Sequence, residues 1–366
     1  MVQYPNYHNG LLNLINSIEK EFGVKNDHPT LTIADQVLEK RYRNVVLMVF
    51  DAMGSRNLPD MISEDSFLRR HMLAEISSVF PPTTTAATTT LESGLAPAEH
   101  SWLGWSLHFP EVNDNVNIFI NTNDYDETVA EYNVANTYIP YKNVVEKINE
   151  IPGARAESVS YFGSYHVESL EELLKGVETL CGEEGRHYLY TYWHEPDNCM
   201  HQYGVTSEEA IAWVERINDE IEELSTKLKD TILLIVADHG QVDSHNKFIG
   251  NYLDILDTLK WLPSIEARAL AFHVKDGREN DFEKAFLKHF GEDYLLLTKQ
   301  EVMEKQLFGA GNLHPRFEEF LGDYLAVAVN HVSVFNTVSH AEKFIGVHAG
   351  MTDQEMLVPF IVIECK

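Results

Sequence analysis

Cysteine is scarce: Cys181, Cys199 and Cys365 are the only three in 366 residues, and no two form a C-x-x-C pair. That excludes an even disulfide framework and is what a reducing cytosol leads one to expect. Long apolar runs are missing too, since none approaches the ~20 residues needed to cross a bilayer. The first residues, M-V-Q-Y-P-N-Y-H-N-G-L-L-N-L-I-N, show no basic segment followed by a continuous apolar one. The expectation is therefore a soluble, cytoplasmic protein with no leader peptide and no membrane partner. Positive charge is in deficit: 28 Lys and Arg stand against 57 Asp and Glu, a net charge of −29. A chain without a basic face is not a general binder of nucleic-acid polymers. An anionic small substrate remains open if bound cations supply the local positive field. Internal repeats and low-complexity linkers are also absent.

What is present is ordinary globular composition, 44% apolar and 23% charged, on a chain long enough for a large core. Asn44-Val-Val-Leu-Met-Val-Phe-Asp51 is a continuous apolar run, as expected of a parallel strand buried on both faces. Similar runs recur at Tyr188–Trp193, Ile232–Ala237, Ala269–Val274, Tyr324–Val329 and Leu357–Ile363. Helical patterns lie between them. Leu11–Phe22 and Ile33–Tyr42 read as outer helices, and Phe282, Phe286 and Phe290 mark another. Ser207–Lys229 carries Ile211, Val214, Ile217, Ile221, Leu224 and Leu228 at helical spacing behind a Ser207 cap. The alternation predicts one α/β domain over residues 1–366, with a doubly wound, mostly parallel sheet and helices on both faces. Pro359 predicts an edge strand or a bulge at the last run. The Asn/Asp-rich stretch 101–138 reads as a lid insertion, and 261–336 as a smaller inserted subdomain.

Val79–Gly94, V-F-P-P-T-T-T-A-A-T-T-T-L-E-S-G, has threonine at six of the eight positions 83–90 directly after Pro81-Pro82. The proline pair holds the chain extended, threonine then caps a short helix, and Gly94 closes it. Hydroxyls at a helix N-terminus suit an anion. In open α/β sheets the ligand sits at the carboxyl ends of the strands. Asp51 follows the first apolar run; His194-Glu195-Pro196-Asp197 and His201 follow the second; Asp238-His239-Gly240 follows the third; His348 precedes the last. Carboxylates mixed with imidazoles suit Zn²⁺, with Mn²⁺ second, and do not suit Ca²⁺ or Mg²⁺. Taken singly, each has a plain structural reading: Asp51 a helix cap, Asp197 and His201 a solvated pair, His348 a hydrogen-bonded core histidine. Their convergence on strand ends argues against that.

From Val45 to Ile363 the sequence resembles the alkaline phosphatase superfamily, and within it the nucleotide pyrophosphatase/phosphodiesterase group. The resemblance rests on V-V-L-M-V-F-D51, F-P-P-T-T84 with S-G-L-A-P after it, E-P-D197-N-C-M-H201, A-D238-H239-G and G-V-H348-A-G. It implies Asp197, His201 and His348 around one ion, and Asp51, Asp238, His239 and the Thr84 hydroxyl around a second. It also picks Thr84 from its neighbours as the nucleophile of a phosphothreonine pathway. The implied reaction is hydrolysis of a phosphodiester or pyrophosphate bond in a small anionic, nucleotide-like substrate. Alternatives are a phosphomonoesterase or phosphonate hydrolase with the same metals, and an inactive binding protein. One departure is Ala87, where the group carries an Asn that contacts the phosphoryl group; the missing donor costs a few kcal/mol of transition-state stabilisation unless a backbone N–H at the helix start or a side chain from 101–138 replaces it, and it bears on the substrate class more than on the reaction. Trp102, Trp105 and Arg316 are candidate substrate contacts, with Arg56 a further source of positive charge. Glu195 reads as a supporting or turn residue, His245 and His273 as structural, and Cys199 as passed over by the metal motif.

Overall fold

The computed structural model describes all residues, Met1–Lys366. At its centre is a seven-stranded sheet in the order Met72–Ser77, Leu357–Cys365, Thr231–Val236, Asn44–Phe50, Arg186–Trp193, Ala154–Ser160, Tyr165–His166. Asn44–Phe50 runs parallel to both neighbours, with Phe50 level with Trp193 and Val49 level with Val236. The residues that follow these three strands therefore emerge together at one edge of the sheet. Every residue of Asn44–Phe50 and Thr231–Val236 is buried, which is why these strands read as unbroken apolar runs and not as alternating ones. Leu11–Phe22 packs on Thr84–Ser93, which packs on Val144–Asn149, while Glu208–Lys227 packs on Leu170–Gly182 and Phe67–Arg70. The long helix buries Val214, Ile217, Ile221 and Leu224, and Ser207 accepts the Ala210 N–H as its cap. The architecture is a doubly wound α/β fold on a mixed, mostly parallel sheet. No helix is long and apolar enough to cross a membrane.

Leu357–Cys365 is not an edge strand, because it lies antiparallel between Met72–Ser77 and Thr231–Val236. The register shifts between Phe360 and Ile361, and pairing to Thr231–Val236 begins only at Ile361. The N–H that Pro359 lacks thus has no ladder partner to miss. Three strands of the central sheet, Met72–Ser77, Ala154–Ser160 and the two-residue Tyr165–His166, had no apolar run to announce them. Met72–Ser77 and Ala154–Ser160 are only partly buried and carry charges on their open positions.

A second, fully antiparallel sheet runs Tyr294–Thr298, Tyr324–Ala328, Ala269–Phe272, Ser264–Glu266, Ser106–Phe109, Asp114–Asn117. The apolar runs at Ala269 and Tyr324 belong here and not to the central sheet, a distinction that apolarity alone cannot make. The stretches 101–138 and 261–336, read separately above, meet in this sheet through Ser106 and Ile265. The asparagines that made 101–138 look like surface instead close its turns. Asn121 Nδ2 donates to Ala130 O at 3.1 Å, its Oδ1 accepts the Val134 N–H at 2.9 Å, and Asn115 Nδ2 reaches Pro263 O at 3.0 Å.

Candidate active site

Thr83 is extended, with φ −142° and ψ 148°, and Thr84 is the first residue of the helix Thr84–Ser93, which ends at Gly94 in the left-handed region. Four of the six threonines face inward: Thr85, Thr89 and Thr90 are fully buried and Thr88 nearly so. Only Thr83 and Thr84 reach a cavity of about 450 Å³ that lies between the two sheets. Thr83 Oγ1 is committed to Glu266 Oε1 at 2.6 Å, which leaves Thr84 as the hydroxyl free to react. Thr84 Oγ1 donates to Asp51 Oδ2 at 3.3 Å and lies 3.1 Å from His239 Nε2.

The strand-end residues converge beneath it. Asp51, Asp238 and His239 bring donor atoms within 4.8 Å of one another, and Asp197, His239 and His348 do the same. His239 is therefore common to both groups. His201 stands beside the second through Asp197, its Nε2 3.3 Å from Asp197 Oδ2, while His348 Nε2 is 3.9 Å from Asp197 Oδ1. Pro196 precedes the helix Asp197–Tyr203, which sets Asp197 and His201 one turn apart on one face; Glu195 accepts the Cys199 N–H of its first turn at 3.1 Å. Gly240 has a steric reason to follow His239, since a Cβ there would collide with the Gln354 carbonyl.

This donor set fits divalent cations. Asp51 Oδ1 and Asp238 Oδ2 are buried with no hydrogen-bond partner, and buried carboxylate oxygens are rarely left so. His201 Nδ1–H donates to Gly346 O at 2.7 Å and His239 Nδ1 lies 3.2 Å from Gly240 O, which turns both Nε2 lone pairs inward in the manner of metal-ligating imidazoles. Burial, then the charges of Asp197 and Asp238, hold the Asp51 carboxyl well above the usual range. Burial raises Asp238 as well, against the opposing pull of His239. Burial works against ionisation of Asp197 too, but His201, His348 and His239 outweigh it and hold that carboxyl below its ordinary value. Burial, then the neighbouring His239, pushes His348 well down and favours the neutral, ligating imidazole. Without ions the group is a strained arrangement of like charges, and divalent cations relieve it.

Other residues sit elsewhere than their motifs implied. Trp102 is buried, donates Nε1–H to Ile139 O at 2.8 Å and packs on Phe119 and Tyr141, so it does not line the cavity. Arg316 is bound to Glu111 and Glu319 and stacked over Phe109, Tyr138 and Phe320, away from the cavity. Arg56 is held by Glu75 at 2.8 Å. Trp105 does line the cavity. Ala87 is fully buried in the apolar core under the central sheet and does not line the cavity.

Two residues that sequence reasoning passed over clamp the carboxylates. Tyr192 OH donates to Asp51 Oδ2, and Gln241 Nε2 to Asp197 Oδ1. Both adjoin the motifs, Tyr192 two residues before His194 and Gln241 directly after D-H-G, so adjacency was the available signal. Glu266, across the cavity from the central sheet, accepts from Thr83 Oγ1 and from the Trp105 N–H at 2.8 Å. Burial raises its carboxyl to about 7. Nothing in its sequence neighbourhood announced it.

Comparisons with known proteins agree with this geometry. The model of the type I phosphodiesterase / nucleotide pyrophosphatase family matches residues 45–351. No curated protein matches the sequence. Among solved structures, murine ectonucleotide pyrophosphatase/phosphodiesterase 5, whose inactive form was determined with AMP, is 15% identical with a TM-score of 0.66 and covers 86% of this chain and 87% of its own. Its human counterpart is also 15% identical, with a TM-score of 0.65, covering 87% of each chain. Phosphonoacetate hydrolase from Sinorhizobium meliloti 1021, in complex with phosphonoformate, is 15% identical with a TM-score of 0.63 and covers 88% of this chain and 90% of its own. Those likenesses speak for the fold. With the family pattern matched over most of its length and the strand-end carboxylates and imidazoles gathered under Thr84, the chain belongs to the type I phosphodiesterase / nucleotide pyrophosphatase family and is a hydrolase of phosphoric esters.

Proposed function

We propose that the enzyme cleaves a phosphodiester or pyrophosphate bond of a small, nucleotide-like substrate through a phosphothreonine intermediate on Thr84. The observation that carries this reading is a free hydroxyl at the first residue of a helix, directly above buried carboxylate oxygens without partners. The phosphoryl group would rest against the helix N-terminus, whose N–H groups and dipole favour an anion. Thr84 Oγ1, already directed at Asp51, would attack phosphorus as the bond to the leaving oxygen breaks, its proton passing to that side of the site and the leaving oxygen taking up a proton from water. A second water would then hydrolyse the phosphothreonine, releasing the phosphoryl product and restoring Thr84. Asp197, His201 and His348 would hold one divalent ion and Asp51, Asp238 and His239 another, zinc before manganese on the mixed oxygen and nitrogen donors. Bound there, two such ions supply a Lewis-acid clamp for phosphoryl transfer and neutralise the carboxylates. The same proposal includes a reducing cytosolic setting, on three unpaired cysteines of which Cys181 and Cys365 are buried.

Metal analysis of protein purified without chelator should find close to two ions per chain; fewer than one would favour the inactive binding protein. Thr84→Ala should lower turnover by at least ~10³-fold with metal content unchanged, and retained activity would remove Thr84 as nucleophile. Bis-p-nitrophenyl phosphate, p-nitrophenyl phosphate and a nucleoside p-nitrophenyl phosphate together decide the ester class. Preference for the monoester would overturn the diesterase reading. A phosphonate with a second acidic group belongs in the same panel, because Arg316 and Arg56, the cations once available to a monoesterase, are both engaged elsewhere.

A further inference from the structure

A threonine at the N-cap of a helix ordinarily turns its hydroxyl back to accept the N–H of the third helical residue. Thr298 and Thr337 do so in this chain, each accepting at 3.2 Å, from the Glu301 N–H and the His340 N–H. Thr83, extended like Thr337, caps the helix Thr84–Ser93 without such a bond. Its Oγ1 donates instead to Glu266 Oε1 at 2.6 Å, and no other side chain engages it. The first N–H groups of a helix have no acceptor inside it, and those of Thr84, Thr85 and Ala86 find none elsewhere in the protein. Glu266 thus stands between an open helix N-terminus and a capped one.

The carboxyl is held in place from two directions. Ile265, directly before it, has φ +78°, a left-handed conformation that a β-branched residue adopts only where its surroundings impose it. Gly104 presses on that turn, and a Cβ there would stand 2.7 Å from the Ile265 carbonyl oxygen. The close approach lets the next residue, Trp105, give its N–H to the same Glu266 Oε1 at 2.8 Å. Backbone strain beside a cavity-lining acid is a mark of a functional constraint, and the one thing this acid reaches on the central-sheet side is Thr83.

We propose that Glu266 is a positioning residue: it keeps Thr83 from capping its own helix, so that the Thr84, Thr85 and Ala86 N–H groups stay open to the phosphoryl oxygens of the substrate. It acts through Thr83 and takes no part in bond cleavage. This role presupposes phosphoryl transfer at Thr84 and assigns the open state of the helix N-terminus to one acid on the second sheet.

The test is steady-state kinetics of the metal-loaded protein on whichever ester of the panel above it hydrolyses fastest. Glu266→Ala releases Thr83 to accept the Ala86 N–H and should lower kcat about 100-fold, the low end for one lost oxyanion donor, with KM changed less than about threefold. Glu266→Gln keeps an acceptor oxygen for Thr83 and should restore most of that loss. Glu266→Ala combined with Thr83→Val should be about tenfold faster than Glu266→Ala alone, because valine fills the same space and has no oxygen to cap with. A crystal structure of Glu266→Ala should show Thr83 Oγ1 within hydrogen-bond distance of the Ala86 nitrogen. A double variant no faster than Glu266→Ala would mean that the acid acts otherwise than through Thr83, and would overturn the inference. Thr84→Ala separates the two levels. If Thr84→Ala is inert and Glu266→Ala keeps the parental kcat, this role alone falls; if Thr84→Ala turns over, the reading of the site falls and this role with it.

Discussion

Arg268→Ala should be among the most damaging single substitutions outside the catalytic cluster. Arg268 and Glu355 are both fully buried and paired through two hydrogen bonds, Nε to Oε1 at 2.7 Å and Nη2 to Oε2 at 2.8 Å. The guanidinium also donates to Val332 O at 3.0 Å and Asn330 O at 2.9 Å. Glu355 accepts further from the Gly350 N–H at 2.7 Å and from Thr352 Oγ1 at 2.6 Å, and so ties the loop that carries His348 to the second sheet. Truncation strands a buried carboxylate, a loss of about 3–5 kcal/mol, and leaves the Asn330 carbonyl without its donor at about 1 kcal/mol, while Val332 O keeps the Tyr294 hydroxyl at 3.0 Å. Against a total stability of about 5–15 kcal/mol, much of the folding free energy would go. Urea denaturation of the metal-free protein should therefore show a midpoint far below that of the parent. The double variant Arg268→Met with Glu355→Gln, which removes the charge but keeps an acceptor for Gly350 and Thr352, should recover about 2 kcal/mol of it. A single-variant cost below about 1 kcal/mol, or no recovery in the double variant, would refute the argument that an uncompensated charge is responsible.

The remaining predictions concern the metal cluster. Tyr192→Phe removes the hydrogen bond to Asp51 Oδ2 and should weaken metal binding about 10–100-fold, measured by competition with a chromogenic chelator. Unchanged affinity would show that Asp51 needs no such clamp. In the metal-free protein the Asp51 and Asp238 carboxyls are raised, so the folded state holds protons that the unfolded chain has released. Their stabilising contribution is complete below the unfolded carboxylate value of about 4 and is lost as pH rises through the folded values, by up to about 1.4 kcal/mol per pH unit for each group. The lowered His348 acts in the opposite sense, its contribution being lost as pH falls below about 6.5. Above about pH 6.5 the His348 contribution is complete, and the raised Glu266, at about 7, and the raised His201 lose protons in the same sense as the two aspartates, so denaturation of chelated protein there reads the sum of these groups. Stability should fall with rising pH there and should stop falling when zinc is restored, because the ion replaces the protons. Metal-free stability that rises across this range would contradict the raised carboxyls.

The local order of the chain was open to reading because buried parallel strands and amphipathic helices write their environment into composition. Asn44–Phe50 and Thr231–Val236 are apolar throughout because both faces are covered, and each hands over to an acid at the edge where ligands collect. The helix Leu11–Phe22 and the turn that opens at Thr84 are equally plain, in periodicity and in capping chemistry. What needed the third dimension were contacts between segments far apart in the chain. An apolar run says nothing of which sheet it joins, so Ala269–Phe272 and Tyr324–Ala328 could be assigned to the antiparallel layer only once their partners were known. Trp102 and Arg316 follow the threonine-rich turn and a proline turn, yet burial and carboxylates draw them away from the cavity. Ala87 stands three residues after Thr84, yet what packs against that part of the helix buries it in the core and keeps it out of the cavity lining. Conversely, Glu266 and Lys343 lie in stretches with no motif and reach the cavity because the second sheet and the helix Val338–Lys343 fold over it. The sequence by itself determined which acids, imidazoles and hydroxyls stand at the strand ends and the layered α/β frame that gathers them, since both depend on local pattern and strand ends. Tertiary structure alone decided that Thr83 and not Thr84 is held by Glu266, that His239 adjoins both ligand groups, and which charges line the cavity, because those depend on contacts between segments far apart in the chain.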